Sequence, residues 1–306
     1  MPQEIDSPEM TGPRTAQSAN RIDDLPEVEG IEHRFVDADG LRVHVAEAGD
    51  GPPVLLLHGW PQHWFMWRQV IERLAPHFRL IAPDLRGFGW TEAPGEGYEP
   101  ETFAADQIAL LDALEIESAS VIGHDWGGFT SFLLGLGASD RIERMVVLNA
   151  PHPWPEVRPR LLLEAWRSWY AAVNALPVVG PRVTQSGQLI SWILEHGNAG
   201  EAFSEGGEVY TDRLRDPARA QATTSLYRYY MRLFTQAPRS PYRSERLTVP
   251  TLLLFGQQDL YVSPELLPGG ESHADDLHIE LVPDSGHFIV EEKPELVARR
   301  ALAFLS

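Results

Sequence analysis

Cysteine is absent from this chain of 306 residues, which excludes disulfide bonds, thiolate nucleophiles and cysteine metal sites. Basic side chains are also scarce, since 25 Lys and Arg stand against 44 Asp and Glu, for a formal charge of −19. Nonspecific binding to nucleic acid or an anionic membrane needs a basic face, so neither partner is expected. The sequence has no apolar run near the roughly 20 residues of a membrane span, and no secretory signal in its first thirty residues. A soluble, cytoplasmic protein is predicted.

Cofactor and metal motifs are missing as well. The chain has 11 histidines, but none stands in a His-Glu-x-x-His or comparable cluster, and no Gly-rich phosphate or dinucleotide motif occurs in context. We therefore expect neither a metal nor a cofactor. The composition, 43% hydrophobic and 23% charged, is that of an ordinary globular protein and suggests one large domain or a core with an insertion.

The chain divides into segments of different pattern. Residues 1–30 carry seven acids and two arginines without periodicity, which predicts a flexible acidic tail. Residues 31–150 alternate strand and helix patterns, and the same alternation resumes over 244–306. Residues 151–243 show helical patterns only, so we predict a helical cap inserted between two halves of one sheet.

Three local patterns indicate individual strands and helices of residues 31–150. Asp39-Gly40 lies between alternating apolar residues, as in a hairpin turn. The apolar run 53–57 is typical of a strand buried on both faces. Apolar residues then recur at spacings of three and four over 64–74, which indicates an amphipathic helix. The fold class predicted is α/β, with a mostly parallel, twisted sheet flanked by helices.

The strongest chemical signal is Gly-His-Asp-Trp-Gly-Gly at 123–128. It directly follows a short apolar strand and directly precedes a helix, as a nucleophile elbow does, with Asp125 where serine hydrolases carry serine. The small residues allow a sharp turn that lifts the Asp125 side chain above the sheet at a helix N-terminus, where an anion is favoured.

Three further motifs follow strands. His-Gly-Trp-Pro at 58–61 stands where this architecture places an oxyanion loop. Downstream, Asp259 follows one strand and His287 follows the next. Nucleophile, acid and histidine thus come in the chain order of a hydrolase triad.

In the motifs at 58–61 and 123–128 the chain resembles the α/β-hydrolases of the epoxide hydrolase group, and the resemblance extends from about Ile31 to the C-terminus. The resemblance implies an α/β-hydrolase fold with an inserted helical cap. It also implies that the backbone N–H groups of Trp60 and Trp126 form an oxyanion hole.

An aspartate nucleophile selects the kind of electrophile. A carboxylate attacks an sp³ carbon that bears a strained or good leaving group, and the product is an alkyl ester of Asp125. His287, oriented by Asp259, then activates water against the carbonyl of that ester. Esterase, lipase and peptidase activities are therefore disfavoured. The activity that we predict first is hydrolysis of an epoxide to a vicinal diol.

The oxygen of an opened epoxide needs a proton donor. Members of the epoxide hydrolase group, which this chain resembles, use a pair of cap tyrosines as donors. Tyr170, in a Trp-Tyr context, matches the first of them. Tyr227, followed by Arg228, is our match for the second, although Tyr229 and Tyr230 stand close by and leave that choice open. Tyrosine is protonated at neutral pH, as a general acid must be.

The alternative is a haloalkane dehalogenase with the same triad. Many dehalogenases carry Asn after His-Gly, where this chain has Trp60, and some take their acid from the end of the strand 145–148, where this chain has Asn149. Fluoroacetate-type enzymes carry Arg after the nucleophile, where this chain has Trp126. A remoter alternative is a non-catalytic small-molecule binding protein, although such a protein would be expected to lose the triad.

The aromatic-rich cap predicts a mostly apolar pocket for an apolar epoxide and water. The residues assigned to this substrate pocket are His58, Pro61, Trp154 and Trp169. His58 is expected chiefly to brace the oxyanion loop. Assembly into a homo-oligomer is left open.

Overall fold

A computed structural model describes residues 24–156, 159–200, 207–236 and 241–306. Of the predicted tail, residues 1–30, the first 23 residues therefore lie outside the described residues. Within the described ranges, no helix is long and apolar enough to cross a membrane.

The centre of the fold is one sheet of eight strands in the order β1-β2-β4-β3-β5-β6-β7-β8. The strands are β1 Glu32–Ala38, β2 Leu41–Ala48, β3 Pro53–Leu57, β4 Arg79–Pro83, β5 Ala119–His124, β6 Ile142–Leu148, β7 Thr251–Gly256 and β8 Leu277–Val282. Strand β2 runs antiparallel to β1 and β4, and the other neighbouring pairs are parallel. The predicted mostly parallel sheet is confirmed.

Local sequence accounts for these strands. In the β1–β2 hairpin, Asp39 and Gly40 both have positive φ, 52° and 82°, which is the two-residue turn that fits the twist of paired strands. In β3, the side chains of Val54 to Leu57 are fully buried, because a central parallel strand is covered on both faces.

Helices flank the sheet. They are α1 Arg68–Leu74, α2 Pro100–Ala113, α3 Trp126–Gly137, α10 Ile289–Glu292 and α11 Pro294–Leu305. Helix α1 packs against α11, and α2 packs against α3. Helix α3 also packs along β3, β5 and β6, so its N-terminus lies at the carboxyl edge of the central strands, where ligands of open α/β sheets bind.

The described residues between β6 and β7 form further helices. They are α4 Pro159–Leu163, α5 Trp169–Asn174, α6 Val179–Ser186, α7 Gln188–His196, α8 Gly207–Leu214 and α9 Pro217–Gln236. These inserted helices are tied to the core by polar contacts. Arg219 donates hydrogen bonds to the carbonyls of Gly89 and Thr91, and Tyr210 donates to Glu291. The boundaries of the predicted cap, residues 151–243, stay a prediction.

Candidate active site

Asp125 sits on a strained turn between β5 and α3. Its φ of 51° and ψ of −116° lie in a region that residues other than glycine rarely adopt, and active sites store such strain. The neighbouring chains come very close: a Cβ at Gly59 would collide with the side chain of Asp125, and a Cβ at Gly127 would collide with the carbonyl of Leu57. Packing therefore requires glycine at both positions, and the elbow pattern predicts the one at Gly127.

Two backbone N–H groups converge on the Asp125 carboxylate. The N–H of Trp60 donates to Oδ2 at 3.0 Å, and the N–H of Trp126 also donates to the carboxylate. These are the groups predicted to form an oxyanion hole. Oδ2 is thus the carboxylate oxygen that the oxyanion-loop N–H holds.

His58 holds the loop that supplies one of these donors. The imidazole is fully buried, its Nδ1–H donates to the carbonyl of Gly59 at 3.0 Å, and its Nε2 accepts from the N–H of Leu85 at 2.9 Å. Burial lowers the pKa of His58, so the ring is neutral, as this pattern of one donor and one acceptor requires. His58 thus braces the turn that carries Trp60.

Burial raises the pKa of Asp125 from 3.8 to about 6, against the opposing effects of His287 and the two N–H donors. The cost of desolvating the carboxylate exceeds the stabilisation by its neighbours. Above this pH the site holds a poorly solvated anion, which suits a nucleophile.

This shift predicts that Asp125→Asn stabilises the protein in a pH-dependent way. The unfolded chain releases the Asp125 proton near pH 4 and the folded chain near pH 6. The unfolded state therefore binds fewer protons in between, and the wild type loses stability as pH rises over that range. The variant should lie close to the wild type at pH 4 and exceed it by about 3 kcal/mol above pH 7.

Urea unfolding of both proteins at pH 4, 5, 6 and 7.5 measures this difference. The exposed Asp140→Asn variant is the matched control. An Asp125→Asn effect equal at all four pH values would contradict the prediction.

Asp259 and His287 meet at the ends of β7 and β8. The Nδ1–H of His287 donates to Oδ2 of Asp259 at 2.9 Å, and both side chains are buried. Burial lowers the pKa of His287, but the charge and hydrogen bond of Asp259 outweigh it and raise that pKa above 6.5. With Nδ1 engaged, Nε2 is the nitrogen free to accept a proton.

Asp259 is held as an anion by four donors. Its Oδ1 accepts from the backbone N–H groups of Tyr261 and Val262 at 2.8 and 2.9 Å. Burial raises the pKa of Asp259, but His287, Asn149 and the backbone donors outweigh this, and the pKa is lowered. The acid therefore orients His287 without taking its proton.

Asn149 is a residue that sequence reasoning considered only as a position lacking an acid. Its side-chain N–H groups donate to Oδ2 of Asp259 at 2.7 Å and to the carbonyl of Gly286 at 3.1 Å, and its Oδ1 accepts from the N–H of Gly256 at 3.2 Å. It also has a positive φ of 45°. Asn149 thus links the ends of β6, β7 and β8. The sequence feature that could have indicated this role is the position of Asn149 directly after β6, at the edge of the sheet where the site residues lie.

Two tyrosines from the inserted helices lie over the oxyanion loop. The ring of Tyr170 stacks on Trp60 with centroids 5.9 Å apart, the ring of Tyr227 meets Trp60 edge-on at 5.0 Å, and the two tyrosine rings are 5.7 Å apart. Burial, followed by nearby tyrosine hydroxyls and Asp125, raises the pKa of both well above 10. Both hydroxyls therefore stay protonated.

The hydroxyls of the other two candidate tyrosines are engaged by other side chains. Tyr229 donates to Glu101 at 3.2 Å on the protein surface. The hydroxyl of Tyr230 shares a hydrogen bond of 2.9 Å with Ser168. Of the three tyrosines that sequence left open, Tyr227 is the one paired with Tyr170 over Trp60.

The residues assigned to the substrate pocket are not all brought together. Pro61 is buried, next to Trp60 in the oxyanion loop, and His58 supports that loop from below. Trp169 is 42% exposed and packs against Trp192. Trp154 is buried away from the tyrosine pair, with its ring stacked on His273 and its indole N–H donating to the carbonyl of Tyr242.

Tyr261 was not singled out from the sequence. Its ring lies perpendicular to His287 at 5.4 Å and faces Tyr170 at 5.2 Å, so it forms the wall between the histidine and the tyrosine pair. Its hydroxyl donates to the carbonyl of Ile193 at 2.7 Å.

A family model described as alpha/beta hydrolase fold matches residues 52–294. The AB hydrolase superfamily protein YfhM of Bacillus subtilis (strain 168) is 30% identical over 289 residues, covering 91% of this chain and 99% of that protein. The soluble epoxide hydrolase of Corynebacterium sp. (strain C12) is 30% identical over 284 residues, covering 90% and 98%. Among solved structures, the epoxide hydrolase CorEH without ligand is 28% identical with a TM-score of 0.77, covering 90% of this chain and 98% of that one.

Proposed function

Because this chain belongs to the α/β-hydrolases, and among them to the epoxide hydrolase group, we propose that it hydrolyses apolar epoxides to vicinal diols. The general activity of the family is hydrolysis of a small molecule with water. The choice of an epoxide as substrate rests on one observation, the pairing of Tyr170 and Tyr227 over Trp60, whose backbone N–H binds the Asp125 carboxylate.

The tyrosine pair meets a need that only an epoxide has. When a ring carbon is attacked, the ring oxygen stays attached to the product and must receive a proton. Two protonated hydroxyls close to the nucleophile can donate to that oxygen, and such general acids contribute roughly 10²–10⁴ in rate.

Dehalogenation by the same residues is less well supported. A departing halide would need two N–H donors, and the indole N–H groups of the oxyanion-loop and elbow tryptophans are the obvious ones. The indole N–H of Trp60 donates to the hydroxyl of Thr223 at 3.2 Å. The side chain of Trp126 is a hydrogen-bond partner of Tyr227. Both donors are thus already used within the protein.

In the first step, Oδ1 of Asp125 attacks a ring carbon and the carbon–oxygen bond of the epoxide breaks. The ring oxygen takes the proton of Tyr170 or Tyr227, which leaves a tyrosinate. The product is a hydroxyalkyl ester of Asp125, a covalent intermediate.

In the second step, Nε2 of His287 takes a proton from water as the water oxygen attacks Cγ of Asp125. The negative charge that develops on Oδ2 meets the N–H groups of Trp60 and Trp126. Collapse expels the diol oxygen, which takes the proton from His287. The carboxylic acid so formed returns its proton to the tyrosinate, and the starting state is restored.

Isotope labelling tests this proposal. With protein in excess over an aryl epoxide in H₂¹⁸O, the diol of the first turnover should carry no ¹⁸O, because its new oxygen comes from Asp125. The label should appear in the peptide that contains Asp125, as measured by mass spectrometry. Label in the first-turnover diol would mean direct attack by water, and halide release from haloalkanes without any diol would replace the proposed reaction by dehalogenation.

A further inference from the structure

His124 immediately precedes the nucleophile but takes no part in the steps above. Its side chain is fully buried. Its Nε2–H donates to the backbone carbonyl of His287 at 2.8 Å, and the two imidazole rings lie 5.1 Å apart. The residue before the nucleophile therefore contacts the residue that activates water.

This contact spans the sheet. Strand β5 carries His124, and β8 precedes His287, with β6 and β7 between them. Neighbouring strands lie about 4.8 Å apart, so β5 and β8 are separated by about 14 Å. The loop after β8 must therefore pass over the ends of β7 and β6 to bring His287 close to Asp125. The side chain of His124 binds this loop at His287.

The peptide groups of His287 are held from two sides. Its N–H donates to the carbonyl of Gly197, just after α7, at 2.7 Å, while its carbonyl accepts from His124. The imidazole is held separately by Asp259. Without the bond from His124, the buried carbonyl of His287 would have no donor at this position, and the loop would be free to shift toward another one.

Only one polar function is visible for His124. Burial, then the charge of His287, lowers the pKa of His124 to about 3, so the ring is neutral near pH 7. Its Nδ1 has no hydrogen-bond partner among the residues that the structure describes. Within that part of the chain, the Nε2–H bond to His287 is thus the single hydrogen bond of the His124 side chain.

We propose that His124 is a positioning residue for His287, which it holds in register with Asp125 and Asp259 for hydrolysis of the alkyl ester. The inference rests on the proposed function for its kinetic consequence. Attack by Asp125 on an epoxide does not use His287, so formation of the ester should be insensitive to His124. A misplacement of the base near 1 Å slows its step by roughly 10²-fold.

The test compares His124→Phe with His124→Gln. Phenylalanine keeps a ring between His287 and Phe288 but has no N–H, whereas glutamine supplies a side-chain N–H that can reach the same carbonyl. Single-turnover kinetics with an aryl epoxide separate formation of the ester from its hydrolysis. In His124→Phe, ester formation should stay within about threefold of wild type and hydrolysis should slow roughly 10–100-fold, with recovery in His124→Gln.

A spectroscopic readout is independent of substrate. The Nδ1–H proton between His287 and Asp259 gives a far-downfield ¹H NMR signal while that hydrogen bond is short, and His287→Gln assigns it. The signal should broaden or move upfield in His124→Phe and return in His124→Gln. Formation of the ester also reports that the variant is folded, and His124→Leu replaces His124→Phe if that variant does not fold.

The outcomes separate the two proposals. Wild-type hydrolysis and an unchanged downfield signal in the phenylalanine variant would overturn the role of His124, as would an equal loss in both steps. If wild type forms neither ester nor diol from epoxides, the proposed function fails, and the NMR signal alone then decides whether His124 positions His287.

Discussion

Replacing His287 with glutamine is expected to stop turnover and leave one whole epoxide molecule attached to Asp125. The variant retains the carboxylate, the two oxyanion N–H groups and the tyrosine pair, so the ring can still be opened. It lacks the Nε2 that takes a proton from water, so the ester persists. Loss of the base in a comparable triad costs on the order of 10⁶ in rate, and turnover should fall by roughly 10⁴–10⁶.

Intact-mass spectrometry after incubation with epoxides and haloalkanes measures the adduct. An epoxide adds its full mass because nothing leaves, whereas a haloalkane adds its mass less that of the hydrogen halide. Peptide mapping should place the adduct on Asp125, and adding Asp125→Ala to the His287→Gln background should remove it. Adducts from haloalkanes alone would move the assignment to a dehalogenase, and an inert wild type with no adduct from any compound would favour a binding protein.

Replacing both Tyr170 and Tyr227 with phenylalanine is expected to slow ring opening by at least about 10³-fold, since no proton donor then remains for the epoxide oxygen. Each single variant should lose less, because the second hydroxyl still reaches that oxygen. Hydrolysis of the ester should be unaffected, since that step depends on His287 and water. The packing around Trp60 is preserved, because phenylalanine keeps both rings.

Single-turnover rates of ester formation, followed by the intrinsic tryptophan fluorescence of the protein, measure this effect. Tyr229→Phe is the matched control, since its hydroxyl donates to Glu101 at the surface, and it should react as wild type does. A double variant that opens epoxides at the normal rate, or a large loss in Tyr229→Phe, would remove the tyrosine pair from the mechanism.

Much of the fold follows from local sequence. The apolar run of β3 predicts a strand covered on both faces, and Asp39-Gly40 predicts the hairpin turn, because each pattern is decided by neighbours along the chain. The elbow is local in the same sense, since the turn at Asp125 needs small residues at fixed offsets. The proximity of Asp125, Asp259 and His287 could likewise be predicted. Each follows a parallel strand, and side chains that follow parallel strands meet at one edge of the sheet.

Contacts between distant segments could not be predicted in this way. Tyr227, Tyr229 and Tyr230 are consecutive or nearly so on α9, and only the packing of that helix over Trp60 turns Tyr227 toward Tyr170 and Tyr229 toward the surface. Helical residues one or two apart point in different directions, so the rotation of the helix decides which hydroxyl faces the nucleophile.

The sequence by itself thus determined the sheet and the chain order of the proposed nucleophile, acid and base, because short-range patterns and strand ends carry that information. The tertiary structure decided how the base is held. Asn149 and His124 bind partners more than 100 residues away in the chain, and those hydrogen bonds exist only because the strand order places the ends of β5, β6, β7 and β8 side by side.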